Sequence, residues 1–300
     1  MGKKTVKGAP RCPEQNVLER ALCALAIPQL QAISPRQPLG RQPLVPFSLL
    51  WLALIALGAA LAPYLAPAGP LATDPSRALL PPGPGAWLGT DFLGRDVLGR
   101  LLWGGRWTLW MGAEALALAV GLGLPLGLAA GGTGGLRDRV LMRLVDAWLA
   151  FPGLLLAMAV VAILGPGLSS VAIAVGLAAA APYARIARAT AREIRVQPYI
   201  DAARAVGASP WRIILRHILP NATPALMAFA ATQLGWVLLN GAALNFLGLG
   251  VQPGTPEWGA MLAEGRAYLR DAPWAAISPG IALTLTVLAA SALGDGLGQE

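Results

Sequence analysis

Six apolar stretches, set apart by turns rich in Gly, Pro and Arg, limit what this chain can become. They are Pro46–Ala66, Leu109–Ala130, Ala147–Leu164, Leu168–Ala187, Ala222–Leu244 and Ala275–Leu293. A helix needs roughly 20 mostly apolar residues to cross a bilayer. Only 13% of the 300 residues are charged and 56% are hydrophobic, against about 25% charged in soluble domains. The sequence therefore predicts an all-α, polytopic membrane protein with about six transmembrane helices. Its abundant Gly and Pro fit, because membrane helices tolerate both better than soluble ones do. An even number of spans puts both termini on the same side.

The net charge is +8. In a soluble protein that would point to nucleic acid, but no basic patch here alternates with exposed aromatics. The cations instead sort by loop. Arg77, Arg95, Arg100, Arg106, Arg266 and Arg270 fall on one side, and the remaining 17 of the 23 Lys and Arg on the other. Positively charged loops stay cytoplasmic, so both termini are expected there. No cleavable leader is read: the basic start MGKKTVKGAP has no apolar core close behind it, and Leu22–Leu30 is short and broken by Pro28. Cys12 and Cys23 read as free thiols.

Three further divisions follow. Residues 1–45 read as a cytoplasmic tail, mobile apart from a short helix at Val17–Ala26. Residues 46–296 form the six-helix unit, and 297–300 a short C-terminal tail. Within the unit, an external loop at 67–106 carries Pro81-Pro82-Gly83-Pro84-Gly85, which forbids a regular helix there. A second external loop, 251–273, holds Trp258 and Tyr268; these, with Trp274, suit a membrane interface.

The cytoplasmic loop at 190–221 is the most punctuated. Pro198 ends or kinks the helix from span four near Gln197. Tyr199–Val206 is expected to be a short helix, stopped by Gly207 in the left-handed conformation. Ser209 then caps a second helix with Pro210 in its first position, running over Trp211–Ile218 until Pro220 and Asn221 end it. A helix, a glycine hinge and a helix make a compact element fit to dock into a cleft of another protein. The plainer reading is a solvated basic loop that only sets topology.

The run DAARAVGASPWRIILRHILPN (Asp201–Asn221) resembles the EAA signature of permease subunits of bacterial ABC importers, most closely the dipeptide/oligopeptide/nickel class. GTDFLGRDVLGRLLWGGRWTL (Gly89–Leu109) is similar to the segment before span two in the second, C-type permease of that class. Arg137–Ala157 and Leu239–Leu262 resemble it too, so the likeness covers about residues 45–296. It departs in places: Asp201 stands where the general signature has Glu, His217 where it has Ile, and Gly99 where Ser is usual. The chain ends in GDGLGQE where members continue with a basic tail, and so reads as truncated there.

The resemblance implies a transport subunit and not an enzyme. It implies a B-type permease partner in a heterodimer, two ABC ATPase subunits, a periplasmic or lipid-anchored substrate-binding protein, and a place in the bacterial inner membrane. Asp201, Ala202, Ala203, Gly207, His217, Leu219 and Pro220 would contact an ATPase. ATP and Mg would belong to that ATPase, since this chain has no GxxxxGK[ST] loop; GGTGG at 131–135 lacks the lysine and reads as a turn. The substrate would be a dipeptide, an oligopeptide, another small peptide or nickel.

Two other groups stand out. Glu114, eight residues after Arg106, is an ionisable residue inside a span and so a functional candidate; it faces the pathway, pairs with an interfacial arginine, or reaches water. Asp91, Gly94, Arg95, Asp96 and Arg100 mark the external motif, where Asp96 and Arg100 are spaced to pair on a helix. They read as a brace or as a contact with a partner. No nucleophile–base set and no metal-ligand set is visible, which weighs against an intramembrane enzyme. No inverted repeat is evident, which weighs against a secondary transporter. A purely structural scaffold leaves the hinged loop unexplained.

Overall fold

The computed structural model describes residues 44–298; the expected helix at Val17–Ala26 and both cysteines lie outside them. The described residues form ten α-helices joined by short irregular segments, without an extended strand. They are α1 Leu44–Leu65, α2 Val97–Thr133, α3 Gly135–Leu149, α4 Gly153–Leu164 and α5 Leu168–Arg195. The rest are α6 Pro198–Ala205, α7 Pro210–Ile213, α8 Leu219–Phe246, α9 Trp258–Gly265 and α10 Trp274–Leu297.

Five segments are long and apolar enough to cross a membrane: α1, α2, α5, α10 and the run Pro210–Phe246. The expected third span, Ala147–Leu164, is not one helix. It divides into the end of α3 and the 12-residue α4, with a bend of 83° between them. At 1.5 Å per residue α4 is only about 18 Å long, short of the ~30 Å hydrocarbon core. The break falls where Pro152 pushes Phe151 away from helical geometry.

The bent pair packs against α5. Asp138 of α3 bonds Arg188 of α5, Asp146 bonds Arg185, Gly153 lies near Ala178, and α4 ends beside the start of α5. Eight residues of α3 advance only three along α5, so α3 lies steeply across it, whereas α4 runs alongside. The described residues thus hold five apolar spans, or six where the bent pair is counted as one.

The external loop is also shorter than expected. Asp96 caps α2, its Oδ2 accepting from the Gly99 N–H at 2.7 Å, so the helix already holds Arg100 and Arg106. At 37 residues α2 is about 55 Å long and projects beyond the bilayer core.

The core is α2 packed on α5 and α8. Gly123, Gly127 and Gly131, one helical turn apart, meet the backbone of α5: a Cβ on Gly127 would lie 2.4 Å from the Ala184 carbonyl oxygen. The opposing face is Ala180, Ala184, Ala187 and Ala191, all buried. Lipid is as apolar as leucine, so membrane helices associate through such close van der Waals packing of small residues. α10 packs on α8 and α1, with Trp51 donating to the Thr286 hydroxyl at 3.2 Å.

Gly127→Ala should force α2 from α5 and lower stability by about 1–3 kcal/mol. Gly121→Ala, at a position with nothing within 4 Å, should be neutral or slightly stabilising. Thermal unfolding of the purified proteins in one detergent checks both.

Candidate functional site: a docking loop and an external clamp

At the arginine-rich end, the α6–α7 loop is built by local rules. Gln197 is extended and Pro198 opens α6. At its end the Gly207 N–H donates to the Arg204 carbonyl at 2.9 Å and the Ala208 N–H to the Ala203 carbonyl at 3.0 Å. This Schellman closure needs a left-handed residue, and Gly207 has φ +82°. The Ser209 hydroxyl accepts from the Arg212 N–H, with Pro210 in the first turn.

The second helix differs from expectation. Pro220 does not end it: Ile214–Ile218 widen into a π turn and α8 continues from Leu219. Proline cannot donate to the carbonyl four residues back and its ring crowds it. The π turn opens the spiral where that conflict arises, and the loop thereby becomes continuous with a spanning helix.

The loop has an inner and an outer face. Ile200, Ile213, Ile214 and Ile218 are buried against Leu128 of α2 and Ala191 of α5. Outward, Asp201 and Ala202 are exposed, Ala203 is buried, and Val206 is 86% exposed. Val196, Tyr199, Trp211 and Leu215 add exposed apolar surface. Asp201 is held only by the neighbouring Arg204, at 2.8 Å. His217 sits in the π turn, its carbonyl accepting from Asn221. Leu219 and Pro220 begin α8. An exposed apolar patch on a rigid basic scaffold marks an interaction surface.

At the opposite end the external motif closes on itself. Arg95 Nε meets Asp91 Oδ2 at 2.6 Å, and Arg100 Nη1 meets the same oxygen at 2.7 Å. Both guanidiniums also reach Glu264 Oε2, at 2.8 and 2.9 Å. Glu264 Oε1 accepts from the Gly254 N–H. The other Asp91 oxygen accepts from the Leu93 and Arg95 N–H groups. Gly94 turns the chain between them with its backbone pressed on Asp74, where a Cβ would lie 1.8 Å from a carbonyl oxygen. The expected Asp96–Arg100 pair is absent because Asp96 is engaged as the cap.

The aromatics of the second external segment likewise make contacts within the protein. Trp258 is buried and donates to the Leu101 carbonyl, Trp274 donates to the Thr90 carbonyl, and Tyr268 stacks on Phe92. They brace the two external segments together, Trp258 fully buried and Tyr268 and Trp274 partly exposed. Glu257, which the sequence does not single out, is fully buried and caps α9. Its carboxylate accepts from the Thr108 hydroxyl and the Ala260 N–H, each at 3.0 Å. Burial raises its pKa above the usual carboxylate value, against those hydrogen bonds, which lower it.

Glu114 does not pair with Arg106. Arg106 lies over the Trp103 ring, 5.2 Å from its centroid, and Glu114 Oε2 is buried without a hydrogen-bond partner.

Residues 123–299 match the family of binding-protein-dependent transport system inner membrane components. The chain belongs to this family. The permease is 44% identical over 216 residues to the glutathione transport system permease protein GsiD of Pectobacterium atrosepticum, covering 72% of each chain. It is 43% identical over 249 residues to a putative peptide transport system permease protein of Brucella suis, covering 83% of this chain and 84% of that one. The fold matches a chain of the inward-facing MetNI methionine ABC transporter with a TM-score of 0.53 at 20% identity, over 65% of this chain and 93% of that chain. This permease is therefore a non-enzymatic ABC importer subunit of the inner membrane, in a family that works with ATPase and substrate-binding partners.

Asp91→Asn should leave two buried guanidiniums facing one carboxylate and cost about 3–5 kcal/mol. Arg106→Gln, which loses a cation–π contact, should cost about 0.5–1 kcal/mol; unfolding in detergent separates them. For Glu257 the folded pKa lies above the unfolded value of about 4.3. Its stabilisation is thus complete below that value and lost as pH rises through the folded pKa. Glu257→Gln should flatten this acid-side dependence of Tm, whereas Glu257→Ala should destabilise at every pH by orphaning the Ala260 N–H.

Proposed function

We propose that this permease carries small peptides, glutathione-like or di- and oligopeptide, through a pathway it shares with a second, B-type permease, driven by two ABC ATPases. The substrate class rests on the names of the relatives, a glutathione permease and a peptide permease. Selection would lie mainly with the substrate-binding protein. Nickel, the other substrate of the class, has no specific support: the described residues hold no group of three or more His, Cys, Asp or Glu side chains fit for a metal.

The observation that carries the coupling assignment is the two-faced loop. Asp201, Ala202 and Val206 form an outward surface for an ATPase cleft, and the isoleucine face ties the same element to α2 and α5. Ala203 and Gly207 shape it, while His217, Leu219 and Pro220 connect it to α8. ATP and Mg would bind on the ATPase. Closure of the ATPase dimer would move the loop as a rigid body and bias the membrane helices between inward- and outward-open states. Moving such a balance from 1:99 to 99:1 takes about 5.5 kcal/mol, so a loose loop would waste the stroke. Glu114, unpaired and within α2, is a candidate pathway residue.

The test is co-expression of the tagged chain with its partner permease and ATPases, purification in mild detergent, and measurement of ATPase retention. Wild type should retain the ATPases. Asp201→Lys should reduce retention at least about tenfold, the worth of ~1.4 kcal/mol at an interface, without changing the elution profile. Gly207→Val should do likewise through backbone strain, since nothing lies within 4 Å of that position. Full retention by both variants would exclude this face as the ATPase contact.

A further inference from the structure

The GGTGG segment at 131–135 seats Ile214 of the loop at Gly132 and is built around an arginine. Gly134 has φ +68°, and a Cβ there would lie 1.9 Å from Arg195 Nη1. The turn borders a cavity of about 580 Å³ into which Arg137 of α3, Arg195 of α5 and Arg204 of α6 converge. Their charge is little compensated. Arg204 pairs with the exposed Asp201, Arg195 reaches the Gly131 carbonyl at 3.5 Å and acts at a distance on Asp138, which Arg188 already pairs, and Arg137 has no ion pair among the described residues.

A second cavity of about 570 Å³ shares Thr133, Leu136 and Arg137 with the first and continues along Val140, Leu141 and Trp211. It is apolar almost throughout. A cationic cavity beside an apolar trough, with three lining residues in common, matches an amphiphile with an anionic head.

The surroundings fix where this lies. On α3, Leu136, Val140 and Leu144 form an exposed apolar stripe at four-residue spacing, beside exposed Arg139 and Arg143. Such a helix lies in the membrane interface, apolar side toward acyl chains and arginines at the headgroups. Its steep crossing of α5 and the 83° bend to α4 agree. The charge distribution makes this the cytoplasmic leaflet, where anionic lipids gather and basic pockets between helices take their headgroups.

We propose that the joined cavities bind an anionic phospholipid of the cytoplasmic leaflet. Its phosphodiester sits among Arg137, Arg195 and Arg204, and an acyl chain lies along Val140, Leu141 and Trp211. The occupied site links α6 to the α2–α3 turn. The proposal stands on the charge and shape of the cavities and does not depend on which substrate is carried.

The full chain, purified in mild detergent, is titrated with dioleoylphosphatidylglycerol or dioleoylphosphatidylcholine, and bound lipid is counted by native mass spectrometry. Each arginine near an anionic headgroup is worth about fivefold in affinity. Wild type should hold the first phosphatidylglycerol at least about tenfold more tightly than phosphatidylcholine. Arg137→Gln, at an exposed and unpaired position, should cut that preference about fivefold, and the Arg137→Gln, Arg195→Gln pair should nearly abolish it. Arg139→Gln, exposed on α3 and outside the cavity lining, should keep it. Equal binding of the two lipids, or a preference unmoved by both variants, overturns the proposal. So does displacement of the lipid by inorganic phosphate at matching concentration, which would make this a phosphate site. Release of phosphatidylglycerol when the ATPases bind would assign the cavity to their contact and overturn it as well.

Discussion

The contact on which the rest of the fold depends is backbone on backbone: the Gly123, Gly127 and Gly131 face of α2 against the alanines of α5. In water, two such helices would be poor partners, since small side chains bury little apolar area. In lipid that reasoning inverts. Burial brings no gain over contact with acyl chains, and close approach of many atoms decides. The glycines make the approach possible and the alanines fill it. Because α2 and α5 are locked along this seam, their cytoplasmic ends present one surface. Ile213, Ile214 and Ile218 seat the loop on that surface, and Ile214 reaches into the space a side chain at Gly132 would fill.

The opposite end is fixed by different physics. Asp91, Arg95, Arg100 and Glu264 are charges held away from water, and any one of them alone would be costly there. Together they pair with one another, leaving Arg100 Nε without a hydrogen-bond partner, and they join two segments more than 150 residues apart in sequence. The clamp aligns the outer half of α2 with α9, while the glycine seam aligns its inner half with α5. One 37-residue helix is thus held at both ends by unlike means. Between them Met111, Gly112 and Ala115 pack closely on α8 and α5, and Glu114 Oε2 is buried there without a hydrogen-bond partner.

What the sequence discloses follows the range of the interactions. The turn at Gly207, the Ser209–Pro210 start and the break at Gln197–Pro198 are settled within six residues, and each is legible. So are the long apolar runs. Span three misleads because hydropathy sums over Pro152 as though it were one apolar residue among many, whereas the backbone feels it as a corner. Pro220 misleads in the other direction: its conflict is absorbed by a π turn that no local pattern announces. The partners of Arg95 and Arg100 are invisible for a simpler reason. Spacing offers Asp96 to Arg100, but the helix start takes Asp96 first. Glu264 comes near only after α9 has folded against α2. Glu257 lies inside the Leu239–Leu262 motif, but nothing local marks it as buried, and its burial is a product of tertiary packing.

These two fastenings bear on how a push at the loop can travel. A docking element that hinged freely at Gly207 would absorb displacement as rotation. The Schellman bonds on either side of Gly207 close it, and the isoleucine face removes the remaining freedom. The π turn then runs without a gap into α8. Displacement of α6 is therefore passed to α2, α5 and α8 at once, and not to a single helix end. The external clamp fixes the far end of the same helix, α2, so any motion passed in from the loop has to be taken up along α2 and the helices packed on it.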